Sequence, residues 1–213
     1  MSNKAYFFDV DGTLVDSMTR AWNEVIIKYL VDRNLLYPEN LISQTVTKGF
    51  MGIANYYVNV LGAKDKPQDI YDFFMKNLEP LYVNELKLKR GAKNLIKSLK
   101  EKGYSVNVIS GSPHRFVNPC LKRNGVYEYF DNVWSVEDFS LSKDDVNLYL
   151  KLAKSVDVEP KNCTIIDDSV NAIKTAKLAG FYTVGMFEAI VEKQWGEVKA
   201  NADETIFDFT ELL

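Results

Sequence analysis

Two aspartates lie two positions apart near the start of the chain, directly after an apolar run that predicts a buried strand. The run is 6–8, and Asp9 and Asp11 follow it. Because side chains on a strand alternate in direction, the two carboxylates are expected to point the same way, and their charges then need a cation nearby. Hard dications such as Mg2+ prefer carboxylate and carbonyl oxygens as ligands.

A glycine follows the second aspartate, and Gly12 frees the backbone to turn sharply where the strand ends. In open parallel sheets, ligands bind beyond the carboxyl ends of the strands. The residues alone therefore predict a metal–carboxylate site at the edge of a sheet. The alternative is a turn whose acids are simply solvated.

Two more predicted strands end in polar residues. The strand 104–109 leads into the small-residue loop 110–112, whose backbone N–H groups could cradle an anion. The strand 162–166 ends in Asp167 and Asp168, and adjacent acids at that point are costly without a cation. All of these groups are expected at the same edge of the sheet.

The segment 9–13, Asp-Val-Asp-Gly-Thr, resembles the first motif of the haloacid dehalogenase-like hydrolase superfamily. The resemblance implies that Asp9 is a nucleophile that attacks phosphorus to form an aspartyl-phosphate. It implies that Asp11 acts first as a general acid and then as a base toward water. It also implies a Mg2+ ion held by Asp9, Asp11 and Asp168, with the backbone carbonyl of Asp11 as its ligand and Asp167 binding through water or orienting the site.

The later motifs of the superfamily are matched in the same order along the chain. Ser110 stands where the family places a serine or threonine that bonds the phosphoryl group, with Gly111 and Ser112 as further substrate contacts. The family often has Gly-Lys-Pro-x-Pro followed by an aromatic residue. Here Lys143 and Tyr149 keep the six-residue offset, but both prolines are absent. The resemblance makes Lys143 a fixed cation beside the nucleophile, and the alternative is a surface lysine at a helix start.

The organisation of the chain changes at about residue 85. Segment 15–84 predicts four helices and no strand, whereas strands and helices alternate from residue 91 onward. Such alternation is typical of an α/β fold, a doubly wound parallel sheet of Rossmann-like form. We predict an α/β core domain of residues 1–14 and 85–213, with an inserted all-helical cap domain of residues 15–84.

The sequence pattern also predicts the limits of individual helices. Helices are predicted over 38–47 and 143–155. The pattern breaks at 48–52, and a further helix begins at Ile53. Pro119 predicts a break or a late start in the helix that follows the Ser-Gly-Ser-Pro turn.

The cap supplies fewer clear signals. Lys48 and Gly49 lie where capped relatives place a specificity loop, so the lysine is expected to reach a phosphate or carboxylate, the alternative being a solvated loop. Arg20 is expected to face the cleft as a substrate-binding residue. His114, the single histidine, is expected to be structural or solvated, and Trp22 to be a packing residue.

The composition indicates which partners and which cellular location to expect. The chain has 213 residues, 46% hydrophobic and 26% charged, with a net charge of −3. Its lysines are scattered among acids, so we expect no nucleic-acid partner. Cys120 and Cys163 are expected to be buried free thiols. The short lead into the first strand leaves no room for a signal peptide, and no apolar run approaches membrane length, so the expected location is cytoplasmic.

Together these observations predict a Mg2+-dependent phosphatase acting on a small phosphorylated metabolite, in the helical-cap branch that includes phosphoglycolate phosphatases and β-phosphoglucomutase. A phosphomutase is the alternative, although Ala21 stands where that relative carries a histidine. Dehalogenase and phosphonatase relatives lack the second acid, which is present here as Asp11. A non-catalytic binding protein on this fold is a further alternative. The substrate remains open among phosphoglycolate, sugar phosphates and nucleotides, and the expected state is a monomer or a weak homodimer.

Overall fold

A parallel sheet forms the centre of the computed structural model, which describes residues 4–45 and 48–213. Its six strands are β1 (Ala5–Phe8), β2 (Ser105–Ser110), β3 (Asn132–Ser135), β4 (Cys163–Asp167), β5 (Tyr182–Met186) and β6 (Glu204–Ile206). They lie in the order β3-β2-β1-β4-β5-β6, and every neighbouring pair is parallel. Strands β1 to β3 form one half of the sheet and β4 to β6 the other, and the chain passes between the halves after β3. The two halves meet where β1 lies beside β4, which is the place where α/β sheets bind ligands.

Helices cover both faces of this sheet because its central strands are apolar on both sides. Phe7 of β1 packs in one cluster with residues of β4 and of the helices 146–155 and 170–178. Phe8 packs in a second cluster on the opposite face. Phe7 contacts Phe181, with ring centroids 5.5 Å apart. The covering helices are α6 (Ala92–Glu101), α7 (His114–Arg123), α8 (Val146–Ser155), α9 (Val170–Leu178) and α10 (Trp195–Asn201).

The chain between β1 and α6 is helical. Its elements are α1 (Met18–Ala21), a π-helical segment (Trp22–Ile27), α2 (Lys28–Asp32), α3 (Leu41–Thr45), α4 (Gly49–Asn59) and α5 (Pro67–Asn84). The described residues of this segment form no strand. An aromatic cluster holds its helices together, since the ring of Tyr29 lies 5.7 Å from that of Tyr57 and 5.9 Å from that of Phe74.

The predicted fold class is therefore confirmed: a doubly wound parallel α/β sheet with helices inserted after its first strand. The division into a core of 1–14 and 85–213 and a cap of 15–84 stays a prediction. No helix in the described part of the chain is both long and apolar enough to cross a membrane.

Several predicted helix limits are wrong. The helix α8 begins at Val146 rather than at Lys143, because the carboxylate of Asp145 caps it by accepting a hydrogen bond from the N–H of Asn147 at 2.8 Å. Helix α4 already begins at Gly49 rather than at Ile53, so residues 49–52, where a break was expected, are helical. These differences put Lys143 in a turn and Lys48 at the N-cap of α4.

The prediction that Pro119 breaks its helix is also wrong. Helix α7 runs from His114 to Arg123 with Pro119 inside it. A proline removes one backbone hydrogen bond, but here Phe116 and Cys120 on the inner face are fully buried, and that burial outweighs the loss. Of the helix predicted over 38–47, the structure contains α3 at Leu41–Thr45, and residues 46 and 47 lie outside the described part of the chain.

Candidate active site

The carboxylate of Asp9 lies at the carboxyl end of β1, the central strand. Its backbone N–H donates to the carbonyl of Ile166 at 3.0 Å, which extends the ladder between β1 and β4 by one residue. Asp9 is buried, and the ammonium of Lys143 pairs with its Oδ1. Burial raises the pKa of Asp9 well above its ordinary value, against the opposing effect of Lys143, and the neighbouring acids add to the rise.

Lys143 bridges two buried acids. Its Nζ also lies 2.7 Å from Oδ2 of Asp167, and its side chain is only 16% exposed. Burial by itself would lower the pKa of Lys143, but Asp167 and Asp9 together raise it above the ordinary value, so the ammonium stays charged. The hydroxyl of Tyr149 donates to the Lys143 carbonyl at 3.0 Å. This bond holds the turn in place and gives a structural reason for the six-residue offset.

Three carboxylates form a group that suits a hard dication. Asp9, Asp167 and Asp168 are all buried, and one oxygen from each lies within 4.8 Å of the others. Burial, and then the charge of Asp167, raises the pKa of Asp168 to about 7. Three buried acids with one lysine among them leave uncompensated negative charge, and their oxygens are of the type that Mg2+ prefers.

Two residues of the turn after β1 position this group. Gly12 has a φ of +80°, and a Cβ atom there would lie 2.7 Å from Oδ2 of Asp168, so the close approach of the backbone requires glycine. The hydroxyl of Thr13 donates to Oδ1 of Asp168 at 3.0 Å. Gly12 and Thr13 therefore hold the turn after β1 close to Asp168, which follows β4.

The carboxylate of Asp11 does not belong to this group of three. Its Oδ1 accepts a hydrogen bond from the hydroxyl of Ser17 at 2.8 Å and another from the hydroxyl of Tyr82, while its Oδ2 accepts from Ser112 at 2.6 Å. The structure thus separates the two aspartates that strand alternation was expected to direct to one point. The hydrogen bonds from Ser17 and Tyr82 direct Asp11 toward the inserted helices, and its side chain lines the cavity described below.

Tyr82 and Lys89 are two site residues that sequence reasoning missed. Tyr82 lies in the last turns of α5, and its helical periodicity indicates only a packing residue. Lys89 lies in a basic stretch, and its Nζ donates to the carbonyl of Gly12 and to Oε2 of Glu188 at 2.8 Å. Neither residue type nor spacing marks these positions, because their partners are distant in the chain.

The loop after β2 lines the same cavity as Asp9. Ser110 is fully buried, and its Oγ accepts from the N–H of Ser112 at 2.9 Å. Gly111 and Ser112 line the cavity above Asp9, whereas Ser110 lies beneath that surface.

A cavity of about 300 Å³ opens over these groups. Its floor contains Asp9, Asp11, Asp168 and Lys143, and its walls come from the inserted helices and the loops after the strands. Lys48 and Gly49 line it, as expected for substrate contacts. Trp22 lines it as well, although it was expected only to pack.

Arg20 does not line the cavity, contrary to the expectation from sequence. Its guanidinium pairs with Glu24 at 2.7 Å and with Glu85 at 2.8 Å, because the helix turns this residue toward the start of the core segment. His114 is also outside the cavity, and its Nε2 lies 2.8 Å from Asp138.

The fold and this group of acids define a class of enzyme. A model of the haloacid dehalogenase-like hydrolases matches residues 3–180, and the chain belongs to that family. Its curated relatives include the 6-phosphogluconate phosphatase of Escherichia coli strain K12, 27% identical over 186 residues that cover 83% of this chain and 79% of the relative. The phosphoglycolate phosphatase of Haemophilus influenzae strain 86-028NP is 24% identical, with 97% and 95% covered. The chain is accordingly a phosphoric monoester hydrolase.

Solved structures show the same fold. CbbY from Rhodobacter sphaeroides in complex with phosphate superposes with a TM-score of 0.82 at 22% identity, covering 100% of this chain and 96% of that one. The β-phosphoglucomutase of Clostridium difficile gives a TM-score of 0.77 at 18% identity, covering 100% and 94%. At these identities the likeness concerns the fold alone.

Proposed function

We propose that the protein is a cytoplasmic, Mg2+-dependent phosphatase that hydrolyses a small phosphorylated metabolite through an aspartyl-phosphate on Asp9. The observation that carries the proposal is the position of the Asp9 carboxylate, at the floor of a cavity, paired with Lys143 and beside two further buried acids. Two buried, unpaired cysteines suit a reducing compartment.

The first step is nucleophilic attack. A carboxylate oxygen of Asp9 forms a bond to phosphorus while the bond from phosphorus to the leaving oxygen breaks. Asp11, when protonated, donates its proton to that leaving oxygen and releases an alcohol. Lys143 holds the nucleophile in place and offsets negative charge as the phosphate approaches.

The second step is hydrolysis of the phosphorylated enzyme. Asp11, now a carboxylate, takes a proton from water as its oxygen bonds to phosphorus, and the bond from phosphorus to the Asp9 oxygen breaks to release inorganic phosphate. Gly111 and Ser112 border the site where the phosphoryl oxygens would lie, and Ser110 supports this loop from behind by accepting from the Ser112 N–H. Lys48 with Gly49 would contact the rest of the substrate.

The acid group fits a Mg2+ ion. Asp9, Asp167 and Asp168 would hold it, together with the backbone carbonyl of Asp11, and it would supply positive charge next to the transferring group. The alternative of a phosphomutase lacks support at the site, because Ala21 lines the cavity and cannot transfer a proton, while the single histidine is held by Asp138.

An assay with an aryl phosphate, run with and without Mg2+, tests the proposal. We expect Asp9→Asn to abolish turnover, and a rapid quench of the unaltered enzyme to place one phosphoryl group on the peptide that contains Asp9. Asp69→Asn, an exposed acid in the first turn of α5, is the matched control and should keep full activity. Undiminished hydrolysis by Asp9→Asn would refute the mechanism.

A further inference from the structure

The cap side of the active-site cavity is made almost entirely of apolar side chains. Met18, Trp22 and Ile26 are spaced four residues apart along the first inserted helix, and all three line the cavity. Phe50 and Ile53 of α4 line it from a second direction. The acids of the floor line the same cavity. The leaving group of a bound phosphate ester must therefore lie between these apolar walls and those acids.

The cap side offers few polar partners to a leaving group. Among the described cap residues that line the cavity, Lys48 is the one charged side chain. The hydroxyl of Tyr82 is already bonded to Asp11. The indole N–H of Trp22 adds one further donor at most. Lys48 and Trp22 donate hydrogen bonds but accept none, so they cannot satisfy a chain of hydroxyls, each of which also donates.

The wall is held in place by packing. The ring of Phe50 lies 6.4 Å from that of Phe116, edge to face, and Phe116 stacks on Tyr82 at 5.0 Å. Trp22 is 4% exposed and Ile26 is 1% exposed. Both belong to the π-helical segment, a distortion that occurs frequently at functional sites. The apolar lining is thus packed against the rest of the folded chain.

This lining discriminates between leaving groups by desolvation. A polyol that enters the cavity loses its hydrogen bonds to water. Ser142, Asp144 and Ser169 line the cavity outside the cap side, but the described lining of the cap side offers only Lys48 and the Trp22 indole in place of water. An apolar ring loses nothing of that kind and gains contact with Trp22, Phe50 and Ile53. The cavity volume of about 300 Å³ is at the small end for ligand sites, which suits one ring together with its phosphate.

We propose that the substrate is a phosphomonoester of a small alcohol built on an apolar, preferably aromatic, ring. The inference rests on the proposed phosphatase function and specifies the substrate class for the same site. It separates this chain from relatives whose names state polar substrates, such as 6-phosphogluconate and phosphoglycolate.

Benzyl phosphate and glucose 6-phosphate provide the test. Both are phosphate esters of primary alcohols on a six-membered ring, so their leaving groups are chemically alike while the rings differ in polarity. We expect kcat/KM for benzyl phosphate to exceed that for glucose 6-phosphate by about 50-fold. An equal or lower value for benzyl phosphate overturns the inference.

Two matched variants connect the preference to the wall. Ile53→Thr places a hydroxyl in the cavity and should reduce the ratio of the two kcat/KM values by about fivefold. Ile70→Thr makes the same change at a buried cap residue that does not line the cavity, so it should lower Tm but leave the ratio unchanged. An unchanged ratio in Ile53→Thr would show that the apolar lining of the cavity does not determine the substrate preference.

Binding separates this inference from the proposed function. Calorimetry on the Asp9→Asn variant should show tighter binding of benzyl phosphate than of glucose 6-phosphate. If that preference holds but neither ester is hydrolysed by the unaltered enzyme, the substrate class stands and the phosphatase mechanism fails. If glucose 6-phosphate is bound and hydrolysed in preference, and Asp9→Asn removes the turnover, the mechanism stands and the substrate class fails.

Discussion

The hydroxyl of Tyr82, at the end of the last inserted helix, donates a hydrogen bond to the carboxylate of Asp11, the proposed acid of the core. Tyr82 is 1% exposed, and its ring stacks on Phe116 at 5.0 Å. Burial raises the pKa of Tyr82 well above its ordinary value, so the phenol remains a proton donor. The side chain that we propose as the general acid and base is therefore oriented by a residue of the inserted segment.

Tyr82→Phe removes that bond while keeping the ring. We expect kcat to fall about tenfold with a smaller change in KM, because Asp11 loses one of the three hydroxyls that orient it. Steady-state kinetics on an aryl phosphate provide the measurement. Tyr29→Phe is the matched control, since its hydroxyl bonds Asp65 within the cap, and it should leave kcat unchanged. Equal kcat values in Tyr82→Phe and the unaltered enzyme would show that the bond does not position the acid.

Lys143→Met removes the cation that bridges two buried acids. We expect kcat/KM to fall by about 10²–10³-fold, because the approaching phosphate then meets an uncompensated nucleophile. In the absence of metal the free energy of unfolding should also fall by about 3 kcal/mol, measured by urea denaturation. Lys151→Met, at an exposed position of α8, should change neither quantity. Full activity in the Lys143→Met enzyme would show that catalysis does not need this buried cation.

Mg2+ should stabilise the folded chain through the acid group. At a concentration 100 times its Kd, the ion should add about 2.7 kcal/mol to the free energy of unfolding, which appears as a rise in Tm, and a chelator should reverse it. Asp168→Asn should lose most of this rise. Asp203→Asn is the control, because Asp203 bonds Thr183 near the sheet edge and lies outside the acid group. A full Mg2+ response in Asp168→Asn would exclude this residue as a ligand.

The two cysteines should be unreactive in the native state. Burial raises the pKa of Cys120 to about 11 and that of Cys163 to about 12, so both are neutral thiols at pH 8, and the thiolate is the nucleophile. Alkylation by iodoacetamide, followed by mass spectrometry, should be slow in buffer and fast in urea. Because the folded chain keeps these protons longer than the unfolded one, stability should decrease as the pH rises above about 9. Rapid modification of both thiols without denaturant would contradict the buried assignment.

The sequence correctly predicted the strand ends that carry the acids, because each is signalled within a short segment. The apolar run before Asp9 and the one before Asp167 each end at the observed carboxyl edge of a strand, and parallel strands bring such ends together. The prediction from sequence failed at the start of α8, where periodicity overlooked the local cap that Asp145 forms with the N–H of Asn147. It also failed at Pro119, because the buried inner face of α7 depends on packing between distant residues.

The sequence by itself determined the α/β class, the inserted helices and the acids that end the strands, since each depends on neighbouring residues in a short segment. Only the tertiary structure decided which side chains complete the site. Tyr82 meets Asp11 across 71 positions, Arg20 turns away to Glu85, and Trp22 becomes part of the cavity wall. These outcomes depend on how the inserted helices pack on the sheet, and that packing sums many weak contacts between distant residues that no local pattern contains.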